Sequence, residues 1–260
     1  VANIYPGTGT VANTSRAPSA NIWGTCPWDE LISGQNGYAQ FEDFVGQINP
    51  VTAEGYTLTA VTSGTLATYA ESGGVLLLSS NGHNAAYDGG QIQTVAPCWD
   101  PGTTGELWFE CRVKGLDWDT VPDDMFCGLA SLDTTIMANN VLDETNNSHL
   151  LFYCDVNSTP GRVGFSCSKA GVESVDADLT GAAALVDSTY IKFGITLLNI
   201  NGTRTVTPYV NGVPFAAITG STYIPAVPMS WSFGTHCGTN HAQTALLYID
   251  SVKTAVRLHP

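Results

Sequence analysis

The chain has 260 residues, 9 Lys+Arg against 23 Asp+Glu, and a formal net charge of −14. Charged residues make up 12% and hydrophobic ones 43%, which supplies a core and excludes a charge-rich disordered chain. The acidic balance, without any Lys/Arg cluster, excludes nucleic acid, whose phosphates must be neutralised, and no apolar run approaches the ~20 residues of a membrane-crossing helix.

Residues 1–38 form a compositional zone of their own, rich in Gly, Thr, Asn, Ser and Pro, with Ile4, Tyr5, Trp23, Trp28 and Leu31 scattered through it. No period of 2 or 3.6 runs through this zone. Val1-Ala-Asn-Ile-Tyr-Pro6 lacks a basic stretch leading into an apolar one, so no signal peptide is expected. Exposed Trp and Tyr are unfavourable without a surface to cover. The zone is therefore expected to be an extended arm, either floppy or ordered against a partner through Tyr5, Trp23 and Trp28, with the folded domain at 39–260.

From Phe41 onward, short strand-like runs alternate with turn clusters: 42–45, 56–61, 66–69, 75–79, 91–95 and 106–113. In the last of these, Leu107, Phe109, Cys111 and Val113 share one parity and Glu106, Trp108, Glu110 and Arg112 the other. That alternation puts the first set in the core and the second on an exposed or grooved face. Further runs lie at 126–132, 149–154, 162–168, 190–197, 205–210, 214–218, 229–233 and 245–252. Asn211-Gly212 between two of them predicts a tight type I′ hairpin. Short helices are expected around 134–142 and 179–184. About a dozen short strands with Gly/Asn/Asp/Pro turns predict one all-β sandwich or barrel.

Seven cysteines, an odd number with no C-x-x-C, read as mostly reduced, buried thiols. Sequons at Asn13, Asn146, Asn157 and Asn201 read as accidents of an Asn/Thr-rich chain. His236-Cys237-Gly-Thr-Asn-His241 looks metal-like but lacks a carboxylate and a known ligand spacing. Asp117-Trp-Asp119, Asp123-Asp124 and Asp143-Glu144 read as solvated acidic loops; calcium is the cation such oxygens would take, and otherwise no cofactor is expected.

The strand order resembles the concanavalin A-like lectin/glucanase jelly-roll sandwich, including its laminin-G relatives. The resemblance rests on Phe41-Glu-Asp-Phe44, Glu106-Leu-Trp-Phe-Glu-Cys-Arg-Val-Lys114, Tyr190-Ile-Lys-Phe-Gly-Ile-Thr-Leu197, Thr207-Pro-Tyr-Val-Asn-Gly-Val213 and the terminal Leu246-Leu-Tyr-Ile-Asp-Ser-Val252, over about residues 41–258. It implies two large antiparallel sheets, one of them concave, with first and last strands side by side. The glucanases of this fold carry a Glu-x-Asp-x-x-Glu cluster, from which Glu106-Leu-Trp-Phe-Glu110-Cys departs. The alginate-lyase branch carries Gln-Ile-His, and here Gln91-Ile92-Gln93 ends in Gln. The Cα atoms of Glu106 and Glu110 would sit about 13 Å apart along a strand; long side chains could narrow the gap, but it is a poor match to the ~5–9.5 Å between the carboxyls of a glycosidase. No catalysis is expected, and a polysaccharide hydrolase or lyase of the sandwich glucanase type is the second alternative.

Two non-catalytic readings remain. One is a lectin-like module in which Trp99, Trp108 and Trp118 line a sheet and stack on glycans. The other, the leading expectation, is a structural protein in the style of tailed-bacteriophage capsid decoration proteins. It would be made in the host cytoplasm and sit on the capsid exterior. Its arm would grip the major capsid protein or another virion protein, and the protein would form a homo-oligomer.

Overall fold

The computed structural model describes residues 16–34, 36–44, 55–61, 64–69, 71, 74–80, 88–116, 124–138, 141–142, 147–154, 162–179, 185–237 and 244–258. Two antiparallel sheets pack face to face. The nine-stranded sheet holds β1 (Gly37–Glu42), β3 (Thr65–Tyr69), β4 (Val75–Ser79), β6 (Glu106–Gly115), β13 (Ile191–Ile200), β14 (Thr203–Val210), β15 (Val213–Pro214), β16 (Ile218–Thr219) and β18 (Leu246–Arg257). Its order is β15-β14-β13-β6-β18-β4-β3, with β1 beside β18 and β16 beside β14. The seven-stranded sheet runs β12 (Val172–Asp178), β11 (Gly164–Lys169), β10 (His149–Cys154), β7 (Asp124–Ala130), β17 (Ser230–His236), β5 (Gly89–Thr94) and β2 (Tyr56–Val61).

The core follows the strand alternation. Leu107, Phe109, Cys111 and Val113 of β6 are fully buried between the sheets, with Phe193, Ile195 and Leu197 of β13 beside them. Cys127 and Leu129 of β7, Leu150 and Phe152 of β10, and Trp231 and Phe233 of β17 close the core from the other sheet. First and last strands do lie side by side, Gly37 opposite Arg257 through Glu42 opposite Val252. Six cysteines are buried, Cys98 is exposed, and none of the seven is in a disulfide.

Asn211-Gly212 turns with φ of 50° and 76°, as the hairpin reading required. Asn201-Gly202 (53°, 80°) and Ala170-Gly171 (51°, 79°) do the same between β13 and β14 and between β11 and β12. The helix expected around 134–142 is instead a loop followed by a small hairpin of β8 (Met137–Ala138) and β9 (Val141–Leu142). Ile136 and Leu142 bury themselves against Phe126 and Leu151 on the sheet, so tertiary packing decides this segment. The second expected helix, 179–184, lies outside the described residues but for Leu179. The strand expected at 214–218 is broken into β15 and β16, either side of Phe215–Ala217.

The helices fall where the sequence analysis placed an arm. α1 (Ala20–Trp23) and α2 (Trp28–Ile32) form a strap across the outer face of the nine-stranded sheet. Ile22, Trp23, Cys26 and Leu31 pack on Trp108, Tyr209 and Ala255 as a second small core. The boundary at residue 38 is thus corrected: residues 16–34 belong to the domain.

Candidate functional site

Each sheet has an outer face on which a ligand could meet the sandwich, and the two differ sharply. On the nine-stranded sheet, the parity opposite the core carries Glu106, Trp108, Glu110 and Arg112 of β6, with Lys192 of β13 and Lys253 of β18 in neighbouring rows. The strap lies over this face. Arg16 pairs with Asp250, which also holds Arg112 at 2.6 Å. Glu110 accepts from the Ser19 amide at 3.0 Å and faces Lys253 at 3.6 Å. Lys192 and Lys253 donate to the carbonyls of Ala17 (2.6 Å) and Arg16 (3.0 Å). Arg257 bridges Glu106 of the sheet and Glu30 of the strap. Burial lowers the pKa of Lys253 and Lys192, while Glu110 acts in the opposite direction.

Glu106 and Glu110 are therefore engaged in holding the strap. Trp108 is 1% exposed and donates its indole N–H to Thr25 Oγ1 at 3.0 Å, so its ring offers no face to a glycan. Trp99, also 1% exposed, is stacked between Tyr38 (5.5 Å) and Trp231 (5.4 Å), which removes it from the surface as well. Trp23 is buried and stacks at 5.1 Å on the half-buried Trp28. These two arm anchors grip their own sandwich. Tyr5 and Trp118 lie outside the described residues, as do Asp117, Asp119, Asp123, Asp143, Glu144 and His241. Cys237 of the metal-like stretch directs its thiol at Ser80 Oγ, and His236 is buried. Among the described residues no three His, Cys, Asp or Glu side chains converge as a metal site.

The outer face of the seven-stranded sheet is different. Gln91 and Gln93 of β5 point outward and hold the loop after β7 by its backbone. Gln91 donates to the Asp133 carbonyl at 2.5 Å and accepts from the Ile136 amide at 3.0 Å. Gln93 donates to the Ser131 carbonyl (3.1 Å) and to Ser232 Oγ (2.8 Å), and accepts from the Asp133 amide (2.9 Å). Each amide thus mimics one rung of a β-ladder. The β8–β9 hairpin then covers Phe126, Ala130 and Leu151. In consequence Ser230, Ser232, Ser166 and Ser168 are buried although they face away from the core.

Beside β2 the described residues leave an open margin. There Thr57, Thr59, Gln93, Val95, Leu132, Asp133 and Thr134 line a depression of about 530 Å³. Asp133 Oδ1 accepts from the Thr135 amide at 2.8 Å, which fixes the loop's corner. Among the described residues the lining is three Thr hydroxyls, the Gln93 amide, one carboxylate and two half-exposed aliphatic side chains, Val95 (56%) and Leu132 (50%). The sequence did carry a signal for it: Thr57 and Thr59 share a parity in 56–61, as Gln91 and Gln93 do in 91–95. What it lacked was the loop that they meet.

No protein-family model matches the chain, and no curated protein matches it in sequence. Solved structures do match in shape. An endo-1,3-beta-glucanase from Streptomyces sioyaensis aligns with a TM-score of 0.57 at 12% identity, over 85% of this chain and 96% of that one. The lectin UEA-II complexed with galactose aligns at 0.52 and 14%, over 86% and 100%. A protein of unknown function from Shewanella oneidensis MR-1 aligns at 0.55 and 16%, over 89% and 94%. The fold is the concanavalin A-like jelly-roll sandwich. At these identities the likeness concerns fold alone, and the same concanavalin A-like frame serves lectins and hydrolases alike.

Proposed function

We propose that this chain is a non-catalytic glycan-binding module, with the depression beside β2 as its ligand site. The observation that carries this reading is the lining: three Thr hydroxyls and one carboxylate next to two exposed aliphatic side chains. Hydroxyls that both donate and accept suit the hydroxyls of a sugar, and aliphatic surface suits the C–H face of its ring. Among the described residues Asp133 is the one carboxylate in that lining, whereas glycoside hydrolysis by the usual route needs two. Glu106 and Glu110 lie on the other sheet and are committed to the strap. The test is a glycan array probed with the purified chain, followed by titration of any hit. Binding without turnover, weakened by Asp133→Asn, supports the reading; release of reducing ends that is lost in the same variant overturns it.

A structural role on a tailed-phage virion is a second reading, favoured by the low share of charged residues (12%) and by a chain that continues ahead of the strap at Arg16. It places the major capsid protein or another virion protein as partner, residues 1–15 as the attachment segment and a homo-oligomer on the capsid exterior. Glycan binding is compatible with it. Co-purification with assembled particles, lost on deleting residues 1–15, is the outcome expected of it; a chain never found with particles overturns it.

A further inference from the structure

On the seven-stranded sheet, the roof decides which part of a glycan can be bound. A polysaccharide held through its interior must continue past the site on both sides. Across the strands, the way from β2 toward β17 and β7 is closed by residues 131–136, fixed to Gln91 and Gln93 through four hydrogen bonds to loop backbone. Ser232 reinforces them, since Gln93 Nε2 donates to its hydroxyl as well. Beyond the loop, Phe126 and Ala130 are buried by the β8–β9 hairpin. The wall is therefore part of the fold and not a loose side chain that a ligand could push aside.

We propose that the depression receives the terminus of a neutral glycan, and that the chain's end stops against Leu132-Asp133-Thr134. The inference rests on the glycan-binding reading and specifies its ligand. Its volume of about 530 Å³ lies within the ~300–1,000 Å³ of small-ligand sites. Neutrality follows from the charges: the lining holds Asp133 and no Lys or Arg, in a molecule of net charge −14. A uronate or sialate carboxylate would meet a like charge with no cation to pair it. Thr59, on β2, points into the depression beside Gln91's row and is free of any role in the roof's hydrogen bonds.

The experiment uses the full chain and a series of neutral oligosaccharides that share one terminal disaccharide, from disaccharide to octasaccharide. An acidic series and an endless cyclic glucan accompany them, all measured by calorimetry. The expected result is an affinity that no longer rises beyond the disaccharide or trisaccharide, with no binding of the acidic series or the cyclic glucan. Thr59→Val, isosteric and on an open face, should weaken binding about tenfold, the loss of one hydrogen bond, with an unchanged Tm. An affinity that keeps rising to the octasaccharide, or binding of the cyclic glucan, means a chain lies along β2 and overturns terminal recognition while leaving glycan binding intact. Binding of the acidic series overturns the neutrality. No binding to any glycan overturns the functional reading itself.

Discussion

Gly194 lies under the strap, and its lack of a side chain is what lets the strap lie flat. A Cβ there would meet Ile22 Cδ1 at 2.2 Å. Gly194→Val should lift α1 and cost about 1–3 kcal/mol, the usual range for overpacking. A fall in Tm together with new proteolytic cleavage within residues 16–34 is the expected signature. Thiols give a second residue-scale outcome. Burial lifts Cys26 to about 12 and holds Cys127 well above an ordinary thiol; Cys98 alone is exposed. A disulfide reagent should therefore modify one thiol in the folded protein and all seven after unfolding. The histidines set a pH dependence. Burial pulls His149 and His236 from 6.5 down to about 4. Above pH 6.5 both states leave these rings neutral. Between 6.5 and about 4 the unfolded chain binds protons that the folded one refuses, so stability falls as pH falls, by at most about 3 kcal/mol per ring. Urea unfolding from pH 7.5 to 5 should show that slope, and His149→Gln should remove roughly half of it.

Among the elements, the strap and the roof explain why some of the molecule was legible in the sequence and some was not. Strand alternation at 106–113 and 190–197 gave both the core face and the sandwich, because a period of 2 is a local property of the chain. The same alternation described the opposite face of β6 as exposed or grooved, whereas Trp108 and Glu110 there are buried under residues far away in sequence. Nothing periodic marks residues 16–34, since two helices of four and five residues are too short to show a 3.6 repeat. Their aromatic residues were read as anchors for a partner when the partner is the sheet itself. Likewise Gln93 stood out for the residue that it replaces, while its role is to hold residues about 40 positions away, a relation carried by the β5–β17–β7 order alone. The strap's contribution can be measured by deletion. A chain beginning at residue 37 should expose Trp108 and Tyr209, bind a hydrophobic dye and lose several degrees in Tm. Deletion with no change in Tm would mean that the second core contributes nothing.

At the scale of the whole molecule, stability is spread over two sheets whose neighbours are mostly distant in sequence, a topology with slow folding. β18 makes this acute. It is the last strand of the sandwich, yet it lies near the middle of its sheet, between β6 on one side and β4 and β1 on the other. During synthesis, β6 leaves the ribosome with its β18 edge unpaired and stays so while residues 116–245 are made. At about 5–20 residues per second that wait is roughly 6–26 s, with Leu107, Phe109 and Cys111 on a strand that has only β13 to pair with once Ile191–Ile200 emerges. Until β18 is made, the β6 edge that it covers lacks its partner. A ribosome stalled short of residue 246 should hold a chain that a protease digests freely, and one stalled with Arg257 clear of the exit tunnel should hold a chain that resists it.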